Sequence, residues 1–137
     1  MKFFAVLASL VAAAAAQRVE IFSPTTGQTL TQGQSVTVSV VEPNSQTTIE
    51  EIGIGIAIRH CDSDPCVDNG ALGSVLYHGP YSPQFDSSTE NMPNQNFTVT
   101  IPNVGSGTAL LSVAHASFIG ASGTFFTEVT NITVNIA

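Results

Sequence analysis

The stretch that decides the fold is Glu51-Ile52-Gly53-Ile54-Gly55-Ile56-Ala57-Ile58-Arg59-His60. Ile52, Ile54, Ile56 and Ile58 recur at period two, and Gly53, Gly55, Ala57 and Arg59 fall between them. Successive side chains of a strand point to opposite faces, so four β-branched residues at this spacing predict a strand with one apolar face. The small residues opposite predict that a second backbone or side chain lies close to that face.

The flanking sequence has the same texture. Residues 18–23 predict a short first strand, and 24–27 and 32–34 read as turns. In residues 35–42, Val36, Val38 and Val40 share one face, with Thr37 and Ser39 on the other. Residues 43–48 form a polar loop. Beyond His60, residues 72–78 predict a strand and 79–93 a long Pro-rich loop. Residues 96–101 predict a strand with Phe97, Val99 and Ile101 inward. The apolar run 109–119 fits a strand buried on both faces or a buried helix, and Gly107 before it and Gly120 after it favour the strand. Residues 127–136 close the chain, with Thr130, Ile132, Val134 and Ile136 on one face. Seven strands separated by turn signals predict an all-β fold, an antiparallel two-sheet immunoglobulin-like β-sandwich. The Cys…Trp…Cys core of true immunoglobulin domains is absent, because the chain has no Trp.

Residues 1–16, MKFFAVLASLVAAAAA, predict a secretory signal peptide. Lys2 is the basic start, residues 3–11 the apolar run, and Ala14-Ala15-Ala16 the small-residue cleavage site; the run is too short to span a bilayer. The remaining 17–137 suit a single domain able to bury a real core. The C-terminal residues 130–137 alternate and offer no hydrophobic tail, so neither a transmembrane helix nor a lipid anchor is expected. The expected location is extracellular.

The whole chain carries three cations against ten acids, a net charge of −7. Loss of the leader leaves Arg18 and Arg59 as its only cations. Such acidity argues against nucleic acid and against anionic membranes. It suits solubility, and also encounter with a basic partner.

Cys61 and Cys66 are expected to form a disulfide in an oxidising compartment. Closing a loop of about six residues is worth about 2 kcal/mol in the chain-entropy model. Together with His60 their spacing does not match a zinc site. Asp62, Asp64 and Asp68 lack the ordered spacing of a calcium loop. A processed terminus at Gln17 or Arg18 cannot supply the N-terminal histidine that binds copper through its amine and ring. His115, inside the apolar run, reads as a satisfied core residue, and His60 and His78, at strand ends, read as solvated. The acid pairs Glu50-Glu51 and Asp62/Asp64 are neighbours rather than carboxylates facing across a cleft. No G-x-S-x-G turn and no free thiol is in view. The expectation is a non-enzymatic monomer without cofactor or metal.

Two sequons occur, Asn96-Phe97-Thr98 and Asn131-Ile132-Thr133. Phe97 and Val99 face inward in one strand, and Thr130 and Ile132 in the other. Both asparagines therefore face solvent, and N-glycosylation is expected at Asn96 and Asn131. Tyr77, Tyr81 and Phe85 recur every four residues through a loop held by prolines. They are either a binding loop or a hydrophobic plug against the sandwich edge.

Several segments carry a resemblance. They are Leu72-Gly73-Ser74-Val75-Leu76-Tyr77 with Gly79-Pro80, then Asn96-Phe97-Thr98-Val99-Thr100-Ile101-Pro102. Gly107-Thr108-Ala109-Leu110-Leu111-Ser112-Val113 through Phe118-Ile119-Gly120-Ala121 follows, and finally Asn131-Ile132-Thr133-Val134. This arrangement resembles the fungal necrosis-inducing secreted effector (Nis1-like) family. The resemblance implies a small secreted effector that binds host immune receptor-associated kinases and suppresses pattern-triggered immunity. A cytoplasmic kinase partner would require entry into host cells. The insert 60–69 with its disulfide departs from the pattern. The alternative is a cell-wall or carbohydrate-binding module. Ser23-Pro24-Thr25-Thr26-Gly27 and Gly33-Gln34-Ser35-Val36-Thr37-Val38 are similar to the start of fungal wall-glucan assembly domains. The lack of Trp, on which sugar platforms stack, counts against it.

Overall fold

Val36, Val38 and Val40 do share one face, and they meet Ile54, Ile56 and Ile58 in a single buried cluster with Phe97, Leu111, Val113 and Val134. The computed structural model describes residues 18–137, so the predicted leader and its cleavage site lie outside the described residues. Nine strands occur in the order β1 (Glu20–Ser23), β2 (Thr29–Leu30), β3 (Ser35–Val41), β4 (Ile49–His60), β5 (Ser74–Gly79), β6 (Gln84–Phe85), β7 (Pro93–Thr100), β8 (Gly107–Ile119) and β9 (Thr124–Ile136). The seven expected strands are all present. The two additions, β2 and β6, have two residues each, too short to carry an alternation.

The strands form two sheets, ordered β1-β3-β7-β6 and β2-β9-β8-β4-β5. Neither closes on itself, so the observed architecture is all-β with a four-stranded and a five-stranded open sheet. Pairing is antiparallel except between β2 and β9, which run parallel and correct the expectation of a purely antiparallel fold. The cause is the turn after Ser23, where the chain leaves β3 in one sheet and crosses to the edge of the other. Both sheets donate side chains to one core, which gives each strand its buried parity.

The alternation that decided the fold breaks at one point. Glu51 pairs with Ser117 and Gly53 with Ala116, so Ile52 is an extra residue with no partner on β8. A bulge of this kind flips the facing of everything on one side of it. Ile54, Ile56 and Ile58 remain inward, whereas Ile52 is turned out, 46% exposed. Glu51, expected outward, turns in. The register correction thus exchanges an isoleucine for a carboxylate at the end of the core.

Candidate functional site

The inward carboxylate has company. His115 continues the inward parity of β8 after Ala109, Leu111 and Val113, and is 3% exposed. Its Nε2 lies 2.5 Å from Glu51 Oε2 and its Nδ1 lies 3.0 Å from Glu128 Oε1. Glu128 Oε1 also accepts the backbone N–H of Val19 at 2.9 Å, fastening the start of the described chain to β9. Glu42, just past β3, is buried and hydrogen-bonded to Glu51. Tyr81 meets the imidazole edge-on with centroids 5.5 Å apart, and its hydroxyl donates to the Val40 carbonyl.

The charges in this knot follow from its surroundings. Burial disfavours ionisation of Glu42, and the neighbouring Glu51 charge adds to it, so Glu42 is pushed up to about 7. Burial alone would lower His115, but the hydrogen bonds to Glu128 and Glu51 win and push it up to about 9. The imidazolium donates from both nitrogens, and protonated Glu42 supplies the hydrogen shared with Glu51. Glu42 Oε1 and Glu51 Oε1 are both buried and have no other partner. Burial likewise holds the proton on Tyr81. Among the described residues, no group of three or more His, Cys, Asp or Glu side chains is placed to hold a metal ion.

His115 is therefore the hydrogen-bonded core residue expected from sequence. Two of its neighbours were also legible: Glu42 extends the inward parity of Val36, Val38 and Val40, and Glu128 that of Thr130, Ile132 and Val134. Glu51 was not, because the bulge is invisible in the sequence. His78 is exposed as expected. His60 is not freely solvated: it is half-buried, its ring lies beside Gly105 and Gly107, and its Nδ1 is buried without a partner.

Tyr77, Tyr81 and Phe85 do not form one surface, which corrects the binding-loop alternative. Tyr81 is 2% exposed and sits in the core beside Phe97. Tyr77 packs on Phe97 with centroids 4.6 Å apart, and its hydroxyl donates to the Pro80 carbonyl. Phe85 stands free in β6. The loop departs from the strand period between them, so equal sequence spacing gives unequal facing. Asn96 and Asn131 are both exposed, on outward parities of β7 and β9.

The outward face of the five-stranded sheet is divided in two. Over one half lies the acidic loop after β4. Cys61 and Cys66 are joined in a disulfide. Arg59 Nε donates to the Ala71 carbonyl and Nη2 to that of Val67, while Asn131 Nδ2 donates to Asp68 Oδ2 at 3.1 Å. This drape covers Ala57, Leu110 and Ser112, which are buried although they face away from the core. The expectation of a close neighbour opposite the isoleucines is met there, and also at Gly53, where a Cβ would lie 3.0 Å from the Gly79 carbonyl oxygen.

The other half is open. Gly53, Gly55, Ala114 and Ala116 floor a groove of about 450 Å³ with Ile52 and Val129 at its sides. Phe118 and Phe125, paired across β8 and β9 with centroids 6.0 Å apart, rise at the hairpin end of the same face. Val129 is 51% and Phe125 62% exposed. Small side chains make the floor; the bulge that turned Glu51 inward supplies the Ile52 wall.

No curated protein matches the chain. The protein-family model described as the Nis1 family matches residues 13–135. With nearly the whole sequence covered, two sheets accounted for and every quoted segment of resemblance inside the match, the chain belongs to the Nis1 family.

Proposed function

We propose that this chain is a secreted, non-enzymatic effector that works by binding a host protein. An immune receptor-associated kinase is the partner in view, and suppression of pattern-triggered immunity the consequence. Membership of the Nis1 family supports a fungal effector-like role. The observation that carries the binding reading is the exposed groove on the five-stranded sheet, walled by Ile52 and Val129, with the exposed Phe118–Phe125 pair on the same face. Contiguous exposed apolar surface of this kind marks interaction sites. Glu42, Glu51, His115 and Glu128, by contrast, are packed inward, where His115 holds Glu51 and Glu128.

The domain is, in this proposal, an immunoglobulin-like sandwich processed after Ala16 and glycosylated at Asn96 and Asn131. Strand order supports the first part. β1-β3-β7-β6 follows the A-B-E-D order of such folds, and β9-β8-β4-β5 follows G-F-C with the added C′ strand.

The test is expression of the secreted protein in leaves, with co-precipitation of host immune kinases and measurement of the oxidative burst. A reduced burst with a kinase recovered is the expected result. An unchanged burst with no kinase recovered rejects the effector reading.

A further inference from the structure

We infer that the groove receives a polypeptide segment in which an aliphatic anchor is followed by lysine or arginine. This deepens the host-binding reading and rests on it. Three observations lead here. The floor residues Gly55 and Ala114 are paired across β4 and β8, and leave room for a side chain of the partner to lie flat between Ile52 and Val129. At one end of the groove sits the disulfide loop, whose exposed Asp68 is held against Asn131, two residues beyond Val129 on β9. At the other end Glu50, exposed, pairs with Phe118. Carboxylates therefore bracket an apolar floor on both sides.

Cations are few. Among the described residues the cations are Arg18 and Arg59, and Arg59 is committed to the carbonyls of Val67 and Ala71. A segment with an apolar anchor alone would bury the floor but leave the carboxylates uncomplemented, and an acidic segment would be repelled. A second copy of this chain would bring two acidic loops together at a net charge of −7 each. Basic residues next to the anchor satisfy both parts of the surface.

The experiment uses the secreted protein and fluorescent nonapeptides sharing a central Leu-Val pair, followed by Lys-Arg, Ser-Gln or Glu-Asp. Binding is read by anisotropy. The Lys-Arg series binds at least about tenfold more tightly than the Glu-Asp series. Its advantage shrinks in about 0.5 M salt, where charges are screened. Gly55→Val fills the floor and abolishes binding of the Lys-Arg series. A Cβ at Gly55 would meet nothing closer than the Tyr77 carbonyl oxygen, at 4.0 Å. Ala114→Leu blocks the same floor and serves if Gly55→Val fails to fold. The double change Glu50→Gln with Asp68→Asn removes the charge preference.

Equal binding of the three series overturns the inference, as does binding unaffected by both floor variants. A dimer of the wild type that Gly55→Val dissolves overturns it in favour of a second copy. In leaves the two readings separate. If Gly55→Val still recovers the kinase and still suppresses the burst, host binding stands and the groove assignment falls. If the wild type does neither, host binding falls and the peptide series alone judges the groove.

Discussion

Glu51 and His115 touch at 2.5 Å because Ile52 has been pushed out of the ladder between β4 and β8. Without that extra residue the carboxylate would point into solvent and the isoleucine into the core. The pair is one side of a buried sandwich of charges, Glu51–His115–Glu128, whose two carboxylates depend on the same imidazolium. Breaking a buried pair leaves uncompensated charge behind, and His115→Ala strands two carboxylates at once. The expected loss is about 3–5 kcal/mol in urea unfolding. A loss below about 1 kcal/mol would show that the knot contributes little to stability.

Stability falls as pH rises. Glu42 keeps its proton in the folded protein up to about 7 but loses it near 4.5 when unfolded, so between those values the folded state binds more protons. His115 repeats this between its ordinary 6.5 and about 9. Both contributions are complete below the lower value of each pair and are lost as pH rises through the upper one. Each group adds a slope of up to about 1.4 kcal/mol per pH unit within its window. Unfolding midpoints measured from pH 5 to pH 9 should decline throughout, and the decline above about pH 7 should be shallower in His115→Leu, where only Glu42 of the two groups remains.

Gly73 is the glycine where an added side chain meets the tightest contact. Its φ is +83°, and a Cβ there would lie 2.4 Å from the Ile58 carbonyl oxygen and 2.7 Å from the Arg59 Cβ. Backbone strain and a clash with the strand itself act together. Gly73→Ala should cost roughly 2–3 kcal/mol. Gly27, with a similar φ but open space around it, should cost less on the same change, and thermal unfolding of the two variants makes the comparison.

Asn96 and Asn131 should each carry an N-linked glycan in secreted material. Asn96→Gln and Asn131→Gln should each lower the apparent mass by one glycan, and the double variant should match enzymatically deglycosylated wild type. The Asn131 change has a second effect, because its amide donates to Asp68 and helps hold the acidic loop on the sheet. Proteolysis within residues 61–71 should therefore be faster in Asn131→Ala than in Asn96→Ala.

The amino-acid sequence by itself determined the all-β class, the seven long strands, the inward valines of β3 and the outward sequon asparagines. It also determined the disulfide, whose cysteines lie five residues apart. These are properties of alternation and of short separation, and both are local. It also marked His115 as a core residue, although no residue near it says that Glu42, Glu51 and Glu128 converge there. Tertiary structure decided what alternation could not. One unpaired residue, Ile52, reverses the facing of Glu51, and that reversal exists only relative to the register of β8. Likewise, equal spacing of Tyr77, Tyr81 and Phe85 carried no common direction once the chain left the strand. The groove is tertiary for the same reason: Gly53 and Gly55 meet Ala114 and Ala116 only through pairing more than fifty residues apart in the chain. A period is written along the chain, whereas a register is fixed between chains of contacts, and the candidate site is built from registers.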